Sequence, residues 1–205
     1  MPQWLTLAAH LVWLALVGFA IAAAPWARLR DNEASHVWLG AIVVASLLWR
    51  IGAHVDGLHF HLLGATVLTL MFDWPLALVA VAIAAATASA DWQTYSLHAL
   101  VAGAIPVASS RVVLRLAERF LPPHLFVYVF VSAFFSGGLA MLASGGVASL
   151  LQSAAAARAR DDALAMWLLL AFGEATLTGM IVTLAVVYKP QWVATFDDAR
   201  YIRRR

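Results

Sequence analysis

Cysteine is absent from the 205 residues, which removes disulfides, thiolate metal ligands and cysteine nucleophiles together. Charge is scarce as well. Only 12% of residues are charged and 63% are hydrophobic, whereas a soluble domain carries about 25% and 45–50%. A core of this size cannot hide that much apolar surface, so lipid must cover it. No long polar stretch remains from which to build a second domain, and residues 1–205 read as a single integral membrane domain. Catalytic signatures are missing too. There is no Gly-rich phosphate loop, so the chain does not itself hydrolyse ATP by that route. Neither a His-Glu-x-x-His helix, nor the histidine boxes of a membrane di-iron oxygenase, nor a Gly-x-Ser-x-Gly elbow occurs. The chain is not expected to be an enzyme. Its net charge of +2 comes mostly from arginines at segment ends, which fits topology determinants and not nucleic-acid binding.

What is present is a series of apolar runs, at roughly 4–24, 37–54, 61–72, 74–90, 97–118, 124–150 and 164–188. A helical span needs about 20 residues, and most of these runs qualify. They predict an all-α, polytopic transmembrane helical bundle. The third run is short, cut by Phe72-Asp73-Trp74-Pro75. Pro75 lacks an N–H and clashes with the preceding turn. The count is therefore seven spans, or six if 61–90 is one broken helix.

Arginine placement favours seven. With the C-terminus in the cytoplasm and the N-terminus outside, 10 basic residues lie inside and 2 outside, with Arg50 unassigned within the second run, as the positive-inside rule asks. Six passes give 8 against 4. The expected location is a bacterial inner membrane with that orientation. Ala22-Ala23-Ala24 resembles a signal-peptide cleavage site, but no Lys or Arg precedes the run and Arg28 and Arg30 follow it, so it reads as the first span. Residues 152–163 read as a polar external connection.

Polar residues inside such a chain are expensive and mark function. His54, Asp56, His59 and His61 join the second and third runs, and Asp91 and His98 flank the start of the fifth. Imidazole suits Co, Ni, Cu and Zn, and carboxylate adds charge. His59 and His61 can face one cation only across an extended backbone, because period two puts alternate side chains on one side. His10 lies about 10 Å into the first helix, six residues at about 1.5 Å each. The bland alternative for each histidine is an interfacial residue or one bonded to a neighbouring helix. Glu174 sits near mid-span, in Gly173-Glu174-Ala175-Thr176. It must point into the bundle, either on a pathway or bonded to Arg50 or to a helix-end amide. The small residues of 82–90, Ser132 and Ser136, and the pairs Gly137-Gly138 and Gly145-Gly146 permit close helix approach. Trp4, Trp26, Trp38, Trp74, Trp92, Trp167 and Trp192 read as interface anchors.

His61-Leu62-Leu63-Gly64, the short span ending at Pro75, Tyr95-Ser96-Leu97-His98 with Gly103 and Pro106, and Glu174 before a Thr/Gly helix together resemble the CbiM-like substrate-capture subunits of cobalt and nickel energy-coupling factor transporters. The resemblance runs from about 37 to 188. It implies metal uptake powered by a separate cytoplasmic ATPase through a membrane coupling subunit. It also implies that His61 occupies the family's metal-binding histidine position, and His98 one where Asn is usual. Family members open with Met-His, which supplies a square-planar site. Here Met1-Pro2 stands instead, and Pro2 has no amide proton and no side-chain ligand. His59, His98 or His10 would then substitute, favouring a tetrahedral or distorted site for Zn, Cu or Co. The alternative function is a non-transporting membrane scaffold or metallation factor for a membrane complex.

Overall fold

The structure, a computed structural model, describes residues 3–55, 58–88, 91–151 and 160–202, without the side chains of 54–55, 58–59, 92–93 and 160–163. Nine helices in these residues are α1 (Gln3–Ala23), α2 (Asn32–Arg50), α3 (Ala65–Ala88), α4 (Trp92–Ala99), α5 (Ile105–Phe120), α6 (Leu125–Val127), α7 (Ser136–Leu151), α8 (Arg160–Tyr188) and α9 (Asp198–Tyr201). Two three-residue strands, β1 (Ala53–Val55) and β2 (Leu58–Phe60), pair antiparallel with His54 opposite His59. This small hairpin does not change the fold class, an all-helical bundle. The π-helical stretch Leu100–Ala104 joins α4 to α5, and Tyr128–Phe135 joins α6 to α7.

Five stretches among the described residues are long and apolar enough to cross a membrane: Gln3–Ala23, Ala65–Ala88, Thr94–Phe120, Leu125–Leu151 and Leu164–Tyr188. α3 is the central one. Its best window is 78% buried, against 17% for α1, so α1 presents most of its surface to lipid while α3 is enclosed by protein.

By length α3 would count as one crossing, yet its contacts show a hairpin. Trp49 Nε1 donates to Leu63 O (2.8 Å), and the neighbouring Arg50 guanidinium donates to Thr87 O (2.6 and 3.1 Å). Both ends of the 63–88 stretch therefore lie at the C-terminal end of α2. Its middle lies elsewhere, because Trp38 Nε1 donates to Leu76 O, about 16 Å down α2 at about 1.5 Å per residue. A straight helix of this length would hold its ends about 36 Å apart. Asp73, at φ 65° and ψ 163°, is the break. Helical arms 65–72 and 74–88 fold back on each other there, so α3 begins and ends at the same end of α2.

The break marks the same face as the C-terminal segment. Ala194 N and Thr195 N donate to Met71 O and Leu70 O (2.9 and 3.2 Å). Arg111 bridges Asp73 at 3.0 Å. Arg28 Nη2 donates to Gln191 O, and Lys189 Nζ and Trp192 Nε1 both reach Glu33 Oε1. Burial lowers the Arg28 pKa, opposed by the nearby Asp73 charge. We call this the C-terminal face and the opposite one the hairpin face.

Small residues set the helix spacing. A Cβ on Gly145 would stand 2.4 Å from the Trp167 indole, and one on Gly137 2.9 Å from Thr178 Oγ1. Those contacts bring α7 and α8 together. Two tryptophans differ from the interface expectation. Trp38 and Trp167 are buried, since their indole N–H groups find partners inside the bundle at Leu76 O and Ser149 Oγ.

Candidate metal centre

The site is built on four residues between β2 and α3. His61-Leu62-Leu63-Gly64 follows the strand, and Gly64 takes φ +64°, a conformation glycine adopts without the Cβ penalty. This turn leaves the Leu63 and Gly64 amides pointing into the bundle at the start of α3. Glu174, fully buried on α8, receives both: Leu63 N donates to Oε2 and Gly64 N to Oε1, each at 2.8 Å. One carboxylate oxygen per amide, at the positive end of a helix, gives a buried charge the partners it requires. Arg50 is not its partner, because that guanidinium is spent on Thr87 O at the hairpin face.

The clamped turn carries His61 to His98. Their Nε2 atoms are 3.1 Å apart, and the ring centroids 5.3 Å. The His61 ring is buried, and Trp49 packs against both imidazoles with centroid distances of 5.2 Å. His61 Nδ1 lies 2.9 Å from Leu62 O. A carbonyl only accepts, which assigns the proton to Nδ1 and the lone pair of a neutral ring to Nε2. His98 Nε2 then donates across the pair. This is the arrangement of a metal-ready imidazole, with the far nitrogen fixed by a backbone carbonyl. A cation entering between the rings would displace a single shared proton.

The other residues singled out by the sequence fall in different places. Asp56 and the side chain of His59 lie outside the described residues, although the His59 backbone is in β2 and so extended. His10 is half-buried on α1, with Nδ1 2.6 Å from Thr6 O. Asp91 is exposed at the start of α4, and its carbonyl accepts from Tyr95 N and Thr94 Oγ1. Among the described residues no three His, Asp or Glu side chains converge as a cation site. The structure thus joins His61 to His98. Trp49 and the two amides were not singled out from sequence. Trp49 offered one signal, an indole one residue before Arg50 at a span end, but that position also suits an interface anchor.

The model of the cobalt uptake substrate-specific transmembrane region, CbiM, matches residues 1–192. The chain belongs to that family. CbiM proteins are membrane components of transporters, so this chain is a multi-pass membrane protein of metal transport. No curated protein and no solved structure matches it.

Proposed function

We propose that this CbiM-family chain captures a divalent first-row transition ion, cobalt above all, between His61 and His98 and passes it toward the C-terminal face. The observation that carries the reading is the 3.1 Å approach of the two Nε2 atoms beneath Trp49. Nitrogens at that separation subtend about 98° at an ion with metal–nitrogen bonds of about 2.05 Å. The angle suits tetrahedral, square or octahedral spheres and excludes a linear two-coordinate one. Imidazole favours Co, Ni, Cu and Zn over Mg or Ca. Two nitrogens leave further positions to other donors. The sequence offers His59, two residues before His61, as the first candidate.

Charge distribution supports a cytoplasmic C-terminal face. Arg28, Arg111, Lys189 and Arg200 lie at or near it, joined to Gln191, Asp73, Glu33 and Glu118, while Arg50 lies at the hairpin face. This is the lysine and arginine bias of cytoplasmic loops. Capture would then be external and the N-terminus outside, in the inner membrane of a bacterium. The reading treats residues 1–205 as one membrane domain that draws energy from a separate ATPase through a membrane coupling subunit.

Titration of the purified protein with CoCl2 tests the capture step. Wild type should bind about one equivalent, and His61→Ala and His98→Ala should each abolish saturable binding with the melting temperature retained. Equal cobalt content in all three would remove the reading. Cobalt accumulation in cells expressing this chain alone would remove the coupled-ATPase arrangement and leave a standalone carrier.

A further inference from the structure

A groove of about 720 Å³ runs down the outside of the bundle between α1, α3, α4, α5 and α7. Leu97 and Leu151 line its hairpin-face end, Phe19 and Trp74 stack along its wall, and Arg111 and Arg115 line its other end. Apart from those arginines its lining is apolar. From Leu97 to Arg115 is about 27 Å of helix at about 1.5 Å per residue, long enough to take an acyl chain reaching in from one face.

The charge at the arginine end is specific. Arg111 and Arg115 lie one turn apart on α5, on one face. Asp73 neutralises Arg111 through Nη1, while Arg111 Nε is buried without a hydrogen-bond partner among the described residues. Arg115 is exposed and makes no salt bridge among them. A second hollow, lined by Arg111, Arg115, Arg119 and Glu118, continues outward from the same point, and Glu118 is already bridged to Arg200. A net positive mouth thus sits above an apolar groove at the membrane's edge. Basic pockets between transmembrane helices at the cytoplasmic side bind anionic headgroups.

We infer that the groove is a binding site for one anionic phospholipid from the leaflet at the C-terminal face. An acyl chain lies along Leu100, Ala104 and Ala108, and the phosphate sits at Arg115 and Arg111 Nε. The site is separate from the histidine pair, so it stands whether or not cobalt is the cargo.

Native mass spectrometry of the detergent-purified full chain, supplied with phosphatidylglycerol or phosphatidylcholine, tests this. Wild type should carry one phosphatidylglycerol adduct, preferred over phosphatidylcholine by roughly five-fold, the worth of one arginine near an anionic surface. Arg115→Gln should lose that preference while keeping its fold, because its side chain is exposed. Ala108→Phe, an exposed position inside the groove, should lose adducts of both lipids. Equal retention of the two lipids by wild type overturns the inference, as does an adduct unchanged in both variants. A second copy, or another polypeptide from the source membrane, displaced by Ala108→Phe would assign the groove to a protein partner and overturn it too.

Discussion

Glu174 and Gly64 are joined across 110 positions of sequence by a 2.8 Å hydrogen bond, and the same carboxylate takes the Leu63 amide at 2.8 Å. The consequence reaches His61, since a turn fixed at two successive amides fixes the residue just before it. Glu174→Gln presents one oxygen and one NH2 where two acceptors are needed. One amide is then left facing a donor, at a cost of about 1–3 kcal/mol. Cobalt affinity should fall by about 10–100-fold, the usual effect of removing an outer support from a metal site. Thermal unfolding and cobalt titration of the variant check both numbers. An unchanged affinity with lowered stability would separate the clamp from the site.

Trp49 is tied to the site in two ways, by its Nε1 bond to Leu63 O and by its ring against both imidazoles. Trp49→Phe retains an aromatic surface and should lose about 0.5–1.5 kcal/mol with the hydrogen bond. Trp49→Ala leaves a cavity and should cost about 3–5 kcal/mol. Cobalt quenches indole fluorescence at short range. The phenylalanine variant should therefore lose most of the cobalt-dependent quenching although eight tryptophans remain of nine. Quenching that persists at the wild-type amplitude would place the ion elsewhere.

The spans were legible because hydrocarbon imposes a 20-residue apolar period that few sequences show by accident. Asp73 and Pro75 announced a break, but whether the chain bent or reversed depended on which carbonyls Trp38, Trp49 and Arg50 would reach, and sequence order does not encode that. Glu174 had to face inward on energetic grounds. Choosing between Arg50 and a helix-end amide required the actual positions of both. The hairpin Ala53–Phe60 had its signal in Asp56-Gly57, a favoured hairpin dipeptide, overshadowed by the surrounding apolar runs. His61 came from the His59-Phe60-His61 pair in apolar sequence, and the resemblance added its family position. Its meeting with His98, 37 residues away, is a tertiary fact.

Asp73 holds φ 65° and ψ 163°, a region almost reserved for glycine that costs about 1–3 kcal/mol for other residues. Its side chain compensates by accepting from Trp74 N at 2.8 Å and from Arg111 at 3.0 Å. The ion pair is partly exposed and worth about 0–1 kcal/mol. Asp73→Gly relieves the strain while losing both contacts, so its melting temperature should stay close to wild type. Asp73→Ala loses the contacts and keeps the strain. It should be the less stable of the two by about 1–3 kcal/mol. An alanine variant as stable as the glycine one would mean that the backbone relaxes at this position without cost.

Gly145 and Gly146 are neighbours on α7 with opposite surroundings. A Cβ at 145 would stand 2.4–2.7 Å from the Trp167 indole, whereas one at 146 meets nothing within 4 Å. Gly145→Ala must push α8 away or rotate a buried indole that donates to Ser149 Oγ, and overpacking of this kind costs about 1–3 kcal/mol. Gly146→Ala adds a better helix former to an open position and should stabilise by up to about 1 kcal/mol. Unfolding of the two variants side by side reads the difference directly. The comparison also bears on the metal centre, because Trp167 packs at a tilt against Phe60, with ring centroids 4.6 Å apart, and Phe60 immediately precedes His61. Displacement of the indole at 145 should therefore weaken cobalt binding as well as stability, while the substitution at 146 should leave binding alone. If both variants bind cobalt like wild type, the α7–α8 contact and the turn that carries His61 are mechanically independent.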